Sequence, residues 1–403
     1  MKKILWISPY ALFDQVGHAG GKTQNFYLKR IKKSKMFDVY LIACFQSEEK
    51  GKLDLEDYKI AHSLIEISSK KEKQLVKKLI NIESTINPFH KYAGLLQNYT
   101  AYLLKRGIKK YEKAGGTPDI IILAWTESAL LMPYIKKLFP DSKIVIGEED
   151  VAFVGYERKW HYAKRKMDRW MAKCRYKRLH NIELNALKSA DMIINTSYKD
   201  QAILMKESID KRHTFVWTPY FEDYNDVVYN QKNKDILFFG AMSRLENYLS
   251  AIWFIKNVFM KLDDRQMRFV IIGGHPPKEL LEYGSERIKV LGFVEDVRPY
   301  FSSSLCLVAP LVLGAGIKVK VLEALSAGIP VLTNGIGVEG IPVRDNRDYF
   351  YCQKPEDYVK KINLLVEHPE MGMQISINGK KFIKENYNLD DSANQFTKRL
   401  AEL

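Results

Sequence analysis

The 403-residue sequence predicts an α/β protein made of two parallel-sheet domains. Three observations predict it. Short apolar runs such as residues 305–310 (LCLVAP) and 119–124 (DIIILA) have the unbroken apolar character of strands covered on both faces. Glycine-rich turns follow several of these runs and lead into helical periodicity, as in strand–helix–strand units. The length suits two domains of typical size, and residues 218–234 (TPYFEDYNDVVYNQKNK) lose periodicity and read as the hinge.

Taken in order, residues 3–8 read as the first strand. The apolar run in MKKILWISPYAL is too short for a signal peptide and has no small-residue cleavage site. The loop that follows reaches Gly20 and Gly21 before the helix GKTQNFYLKRIKK. A glycine pair at a helix N-terminus either admits a phosphate or only turns the chain. His18, beside that pair, is a candidate acid or base. Residues 38–43 form a second strand. Residues 47–117 are polar and lysine-rich, with SSKKEKQLVKKLI reading as a surface helix. Thr126 is placed to cap the helix after 119–124. The strand at 143–147 ends in Glu148, Glu149 and Asp150, which could bind a metal, act as acid or base, meet an acceptor's hydroxyls, or cap the next element. Residues 192–196, a helix from Tyr198 and a strand at 214–217 complete the first domain.

Positive charge is the strongest compositional signal, at +15 net. Nucleic acid, an anionic membrane or an acidic substrate would each account for it, but no nucleic-acid motif accompanies it. Residues 158–180 (RKWHYAKRKMDRWMAKCRYKRLH) carry ten Lys or Arg against Asp168 alone, interleaved with Trp160, Tyr162, Trp170 and Tyr176. As a helix, that composition suits anionic lipid, a partner protein, or a solvated face with its aromatics in the core. Four scattered cysteines, none in a CxxC pair, indicate neither zinc nor a disulfide framework and suit the reducing cytoplasm. No stretch approaches twenty apolar residues, so no spanning helix is expected.

The second domain opens with strands at 235–240, 268–273, 288–292 and 305–310, a helix over 246–261, and a helical tail after Pro355. Its densest stretch is 314–340, GAGIKVKVLEALSAGIPVLTNGIGVEG. Gly314 and Gly316 let the backbone approach a ligand closely. A helix from about Ile317 offers free N–H groups to an anion, beside Lys318 and Lys320. Glu323 suits the paired hydroxyls of a ribose. Asn247 could cap its helix or reach a ligand, and Glu339, in the loop after PVLT, could contact that ligand or be an ordinary loop carboxylate.

The run GxGxKxKxLEAxxxGxPV, preceded in order by FFGAMSRLEN, WFIKNV, FVIIGG and VLGFVEDVRPYF, resembles the donor-binding segment of bacterial family 4 glycosyltransferases, retaining enzymes of the GT-B fold. The resemblance is specific over about residues 235–342. It implies two Rossmann-like domains with parallel sheets facing across a cleft: 1–218 binding the acceptor and 235–388 the nucleotide sugar. Residues 389–403 would form a helix crossing back onto the first domain. The implied reaction is retaining hexosyl transfer from a nucleotide diphosphate sugar to a glycan or lipid-linked acceptor, in assembly of surface polysaccharide or lipopolysaccharide. The implied place is the cytoplasm, peripherally at the inner face of the plasma membrane through 158–180. The donor is a substrate, and neither a cofactor nor a metal is implied.

By the same resemblance, Gly20 and Gly21 face the donor, and Glu323 is the second glutamate of the E-x7-E pattern, on the ribose. The first glutamate falls at Ala315, so the backbone of Gly314, Ala315, Gly316 and Ile317 is expected to meet the sugar instead. Relatives carry an Arg and a Lys after the strand matching ILFFG. Here Ala241 follows Gly240 and the nearest cation is Arg244, so Lys318 and Lys320 are expected to replace that pair. Glu323, Lys318 and His18 are the candidate catalytic residues. A nucleotide-sugar epimerase of the same fold would instead consume donor without acceptor. A basic, non-catalytic binding protein would bind polyanions and ignore loss of Glu323.

Overall fold

A computed structural model describes every residue except 68–77, 84–85, 164 and 315. It divides into two compact units, Met1–Tyr220 with Asp390–Leu403, and Phe221–Leu389.

Seven parallel strands organise unit 1: β1 (Lys2–Ser8), β2 (Phe37–Gln46), β3 (Ala61–Ile67), β4 (Ile120–Ala124), β5 (Lys143–Glu148), β6 (Met192–Asn195) and β7 (Thr214–Val216). Their order is β3-β2-β1-β4-β5-β6-β7. Ile4 of β1 pairs with Val39 on one side and Ile120 on the other. The chain order therefore reverses between β1 and β4, which opens a crevice beyond their carboxyl ends. All five residues of β4 are buried, as its continuous apolar run requires. The helix Leu389–Ala401 completes this unit. Its Ala393, Phe396 and Leu400 join Trp6, Tyr27 and Trp217 in one apolar cluster. Ser392 Oγ lies 2.6 Å from the Tyr27 hydroxyl and accepts the Thr218 N–H at 2.9 Å, while Arg30 pairs with Asp390 at 2.6 Å.

Unit 2 repeats the plan with β8 (Asp235–Phe239), β9 (Arg268–Ile272), β10 (Ile288–Gly292), β11 (Cys306–Ala309), β12 (Val331–Thr333) and β13 (Phe350–Tyr351), in the order β10-β9-β8-β11-β12-β13. Its reversal point lies between β8 and β11. The stretch read as a hinge is packed into this unit from Phe221 onward. Phe221, Tyr224, Val227 and Tyr229 enter the core, and the Tyr229 hydroxyl donates to the Leu305 carbonyl at 2.9 Å. Its backbone pairs with the carboxyl end of the helix Arg298–Ser303 (Asn230 N–H to Ser302 O, 2.8 Å), so apolar burial occurs without helical or strand periodicity.

Several local expectations change. The edge strand β3 and the helix Asn98–Lys113 lie inside the stretch with no assigned strand. β3 is largely half-exposed, which dilutes the apolar signal. The surface helix expected over SSKKEKQLVKKLI falls mostly outside the described residues. Thr126 caps nothing: the helix after β4 begins at Trp125, and the Thr126 hydroxyl donates to buried Glu148. The basic stretch 158–180 is two helices, Ala152–Tyr162 and Lys166–Lys188. Among the described residues, no helix is long and apolar enough to cross a membrane.

Candidate functional site

In unit 2 the loop leaving β11 gathers the candidate residues at the reversal point. Gly314 and Gly316 adopt φ of 142° and 68°, which side chains disfavour. Ala315, between them, lies outside the described residues. Ile317 is partly buried and packs its side chain on the core, so it presents backbone to the loop. Lys318 is the residue before the helix Val319–Ala327, two places later than the helix start read from the sequence. Its ammonium donates to the Gly316 carbonyl and lies 3.6 Å from the Glu339 carboxylate.

Lys320 reaches across to β8. Its ammonium donates to Asn247 Oδ1 and sits 5.0 Å over the Phe238 ring. The Asn247 amide in turn donates to the Ala241 carbonyl at 2.8 Å. A Cβ at Gly240, where φ is 148°, would come within 2.9 Å of Lys320 Nζ and 3.2 Å of Asn247 Nδ2. The glycine ending β8 is what lets this pair sit there. Burial pushes Lys320 down to about 7, aided by the charges of Arg244 and Lys318 and opposed by Glu246 and Glu323. Arg244, not Asn247, precedes the helix Leu245–Asn257; it is exposed and pairs with Glu246 at 2.5 Å. Glu323 is half-buried in the second turn of its helix, and its carboxylate accepts the Glu222 N–H at 3.4 Å. Basic side chains beside a helix N-terminus make this end of unit 2 favourable to an anion.

Unit 1 carries His18, Gly20 and Gly21. His18 Nδ1 accepts the Gly21 N–H at 3.0 Å and so caps the helix Ala19–Lys33. A Cβ at Gly21 would meet that imidazole at 2.7 Å. The glycine pair is therefore fitted to the cap and to close packing: a Cβ at Gly20 would lie 3.2 Å from Trp125 Nε1 and 3.5 Å from the Glu149 carboxyl. The rings of Tyr10, His18 and Trp125 cluster within 5.9 Å of one another, with Trp125 at a φ of 64° just past β4.

The acids after β5 divide by face. Glu149 accepts the Gln24 amide at 2.8 Å, and burial, with Asp150 and Glu127 adding repulsion, pushes it up to about 8. Glu148 is fully buried, and desolvation, with the charge of Glu183 beside it, raises its carboxyl well above the usual range. Glu183 accepts the N–H groups of Ala152 and Phe153 at 2.8 and 2.9 Å, capping the first basic helix, and is pushed up to about 7. Glu148 and Glu183 are thus both buried inside the domain, one taken up by Thr126 and the other by a helix N-terminus. Among the described residues no three His, Cys, Asp or Glu side chains are grouped to hold a metal ion. Sequence reasoning missed Glu183, Trp125 and the Lys320–Asn247 contact, since each acts through a residue distant in sequence.

Two doubly wound units, each with its crevice at the strand reversal, define the GT-B class of protein. Residues 233–368, most of unit 2, match the family described as glycosyl transferases group 1. A protein of Klebsiella pneumoniae described as an uncharacterized 44.6 kDa protein in the cps region is 22% identical over 220 residues, 51% of this chain and 57% of that one. The match spans little more than half of that relative's length. Among solved structures, sucrose-phosphate synthase of Thermosynechococcus elongatus has a TM-score of 0.68 at 16% identity, covering 100% of this chain and 99% of that one. HepE of Anabaena in complex with UDP has 0.66 at 14%, covering both chains fully, at 100% each. The lipopolysaccharide outer core galactosyltransferase WaaB has 0.62 at 14%, with 100% of both chains covered. At these identities the likeness establishes the GT-B fold.

Proposed function

We propose that this protein is a retaining glycosyltransferase that moves a hexose from a nucleotide diphosphate sugar to a glycan or lipid-linked acceptor in surface polysaccharide or lipopolysaccharide assembly. The observation that carries the reading is the cation group Arg244, Lys318 and Lys320 facing the reversal point of unit 2, with the half-buried Glu323 carboxylate one turn beyond Lys320. Similarity to structures holding UDP, and to a relative from a cps region, supports the donor class and the pathway. In this reading the diphosphate meets the three cations and the helix N-terminus, and Glu323 holds the ribose. Glu339 keeps Lys318 in place, and the backbone of Gly314–Ile317 meets the sugar. Unit 1 takes the acceptor, with His18, Gly20 and Gly21 at its crevice. No metal takes part. The protein works in the cytoplasm at the inner membrane face, drawn there by the basic residues of 158–180.

A thermal-shift panel of UDP-, GDP-, dTDP- and CMP-sugars tests this, because a bound donor raises the melting temperature by mass action. One donor should stabilise the wild type and fail with Glu323→Ala. Release of the free nucleotide diphosphate only when acceptor is present separates transfer from epimerisation. A flat response to all four donors would remove the reading.

A further inference from the structure

Large apolar side chains are exposed in a concentrated way on unit 1. Leu79 is 66% exposed, Ile82 48%, Ile86 65% and Phe89 57%; across from them Tyr162 is 82%, Met167 66% and Trp170 50% exposed. These residues come from two segments far apart in sequence, yet they adjoin. The Phe89 and Trp170 rings meet edge-on at 6.2 Å, and Arg178 Nε donates to the His90 carbonyl at 2.6 Å. All five residues of the first turn, Lys166 to Trp170, are exposed, so this turn stands clear of the domain body. A soluble protein rarely leaves a contiguous apolar patch of this kind uncovered without a partner.

Charge selects the partner. Within residues 78–92 and 158–182 the only acids are Glu83 and Asp168, against twelve Lys or Arg. Glu83 is engaged internally, 3.2 Å from His90 and 2.8 Å from the Asn98 amide. Topology selects the direction: both segments leave the carboxyl ends of strands, β3 and β5, on the edge of the sheet that also carries Trp125 and Glu149.

We infer that this composite face is a membrane wedge: Leu79, Ile82, Ile86, Phe89, Met167 and Trp170 insert among the acyl chains of an anionic bilayer, while the flanking cations meet its headgroups. The inference rests on the proposed membrane-side transfer and adds a hydrophobic component, from Leu79, Ile82, Ile86 and Phe89, that basic attraction alone lacks. It brings the acceptor-side edge of unit 1 to the bilayer, where a lipid-linked acceptor resides.

The test is co-sedimentation of the full chain with phosphatidylcholine vesicles carrying or lacking phosphatidylglycerol, at low and high salt and without donor. Binding should need the anionic lipid, and a substantial fraction should survive high salt. Ile86→Ser with Phe89→Ser should cut the salt-resistant partition by about tenfold or more. Folding is checked by an unchanged melting temperature. Vesicles should shift tryptophan emission to the blue, and Trp170→Phe should abolish most of that shift. Binding lost entirely in high salt, binding indifferent to the serine variants, or a concentration-dependent dimer that the variants abolish while vesicles are ignored would each overturn the wedge. Donor stabilisation, measured without vesicles, stands or falls separately.

Discussion

At the strand reversal of unit 1, Glu127 and Glu149 gather near the Tyr10–His18–Trp125 rings; at that of unit 2, Lys320 feels the charges of Arg244, Lys318, Glu246 and Glu323. The strand orders match except for a seventh strand at one edge of unit 1, and the charges are opposite. Desolvation acts on one member of each set in opposite directions, raising Glu149 to about 8 and lowering Lys320 to about 7. The consequence differs in kind. A dianionic diphosphate would recharge Lys320, so that binding and proton uptake go together. A neutral carboxyl in unit 1 can donate as well as accept a hydrogen bond, which suits a hydroxyl-rich ligand and repels no phosphate.

The contrast is broken most severely at Lys320. Lys320→Ala should weaken donor binding by about a hundredfold, since it removes a desolvated cation and leaves the Asn247 carbonyl unpaired. Lys318→Ala should cost less, about tenfold, because its ammonium is already occupied by Gly316 and Glu339. Donor titrations by calorimetry distinguish them, and wild-type values for both would end the assignment of these lysines.

Acidity sharpens the comparison next. Donor affinity should fall by up to about tenfold per pH unit above 7, as free Lys320 loses its proton. Ligand-free stability should respond in the opposite sense at this residue. Between pH 7 and the unfolded value of 10.5, the unfolded chain holds the Lys320 proton and the folded one does not, so stability rises with pH across that window. Glu149 runs the other way: from 4.5 to about 8 the folded chain keeps a proton the unfolded chain has lost, so stability falls with rising pH. Glu149→Gln keeps the acceptor for Gln24 and should gain on the order of 2 kcal/mol relative to wild type at pH 8, with little difference at pH 4.5, in urea melts. The smallest effect expected is that of a chelator, which should leave turnover unchanged.

Much of this was legible. The apolar runs of β1, β4, β8 and β11 mark covered parallel strands, and the glycines and lysines of 314–320 mark the loop that gathers the candidate residues. What escaped was tertiary. Glu183 lies in a helix whose composition reads as a basic surface, and nothing local signals that it caps another helix. Asn247 looks like a helix cap, whereas its amide serves a lysine 73 residues away. Residues 221–229 read as linker because they bury aromatics without a period. β3 escaped because an edge strand buries little.

The helix Leu389–Ala401 has a consequence for how the chain is made. Its Phe396 and Leu400 complete a core whose other members, Trp6 and Tyr27, are synthesised first. Unit 1 therefore leaves the ribosome unfinished and must wait while the whole of unit 2 is translated. A nascent-chain quality-control factor would meet an open amino-terminal domain for nearly half of the time spent in elongation.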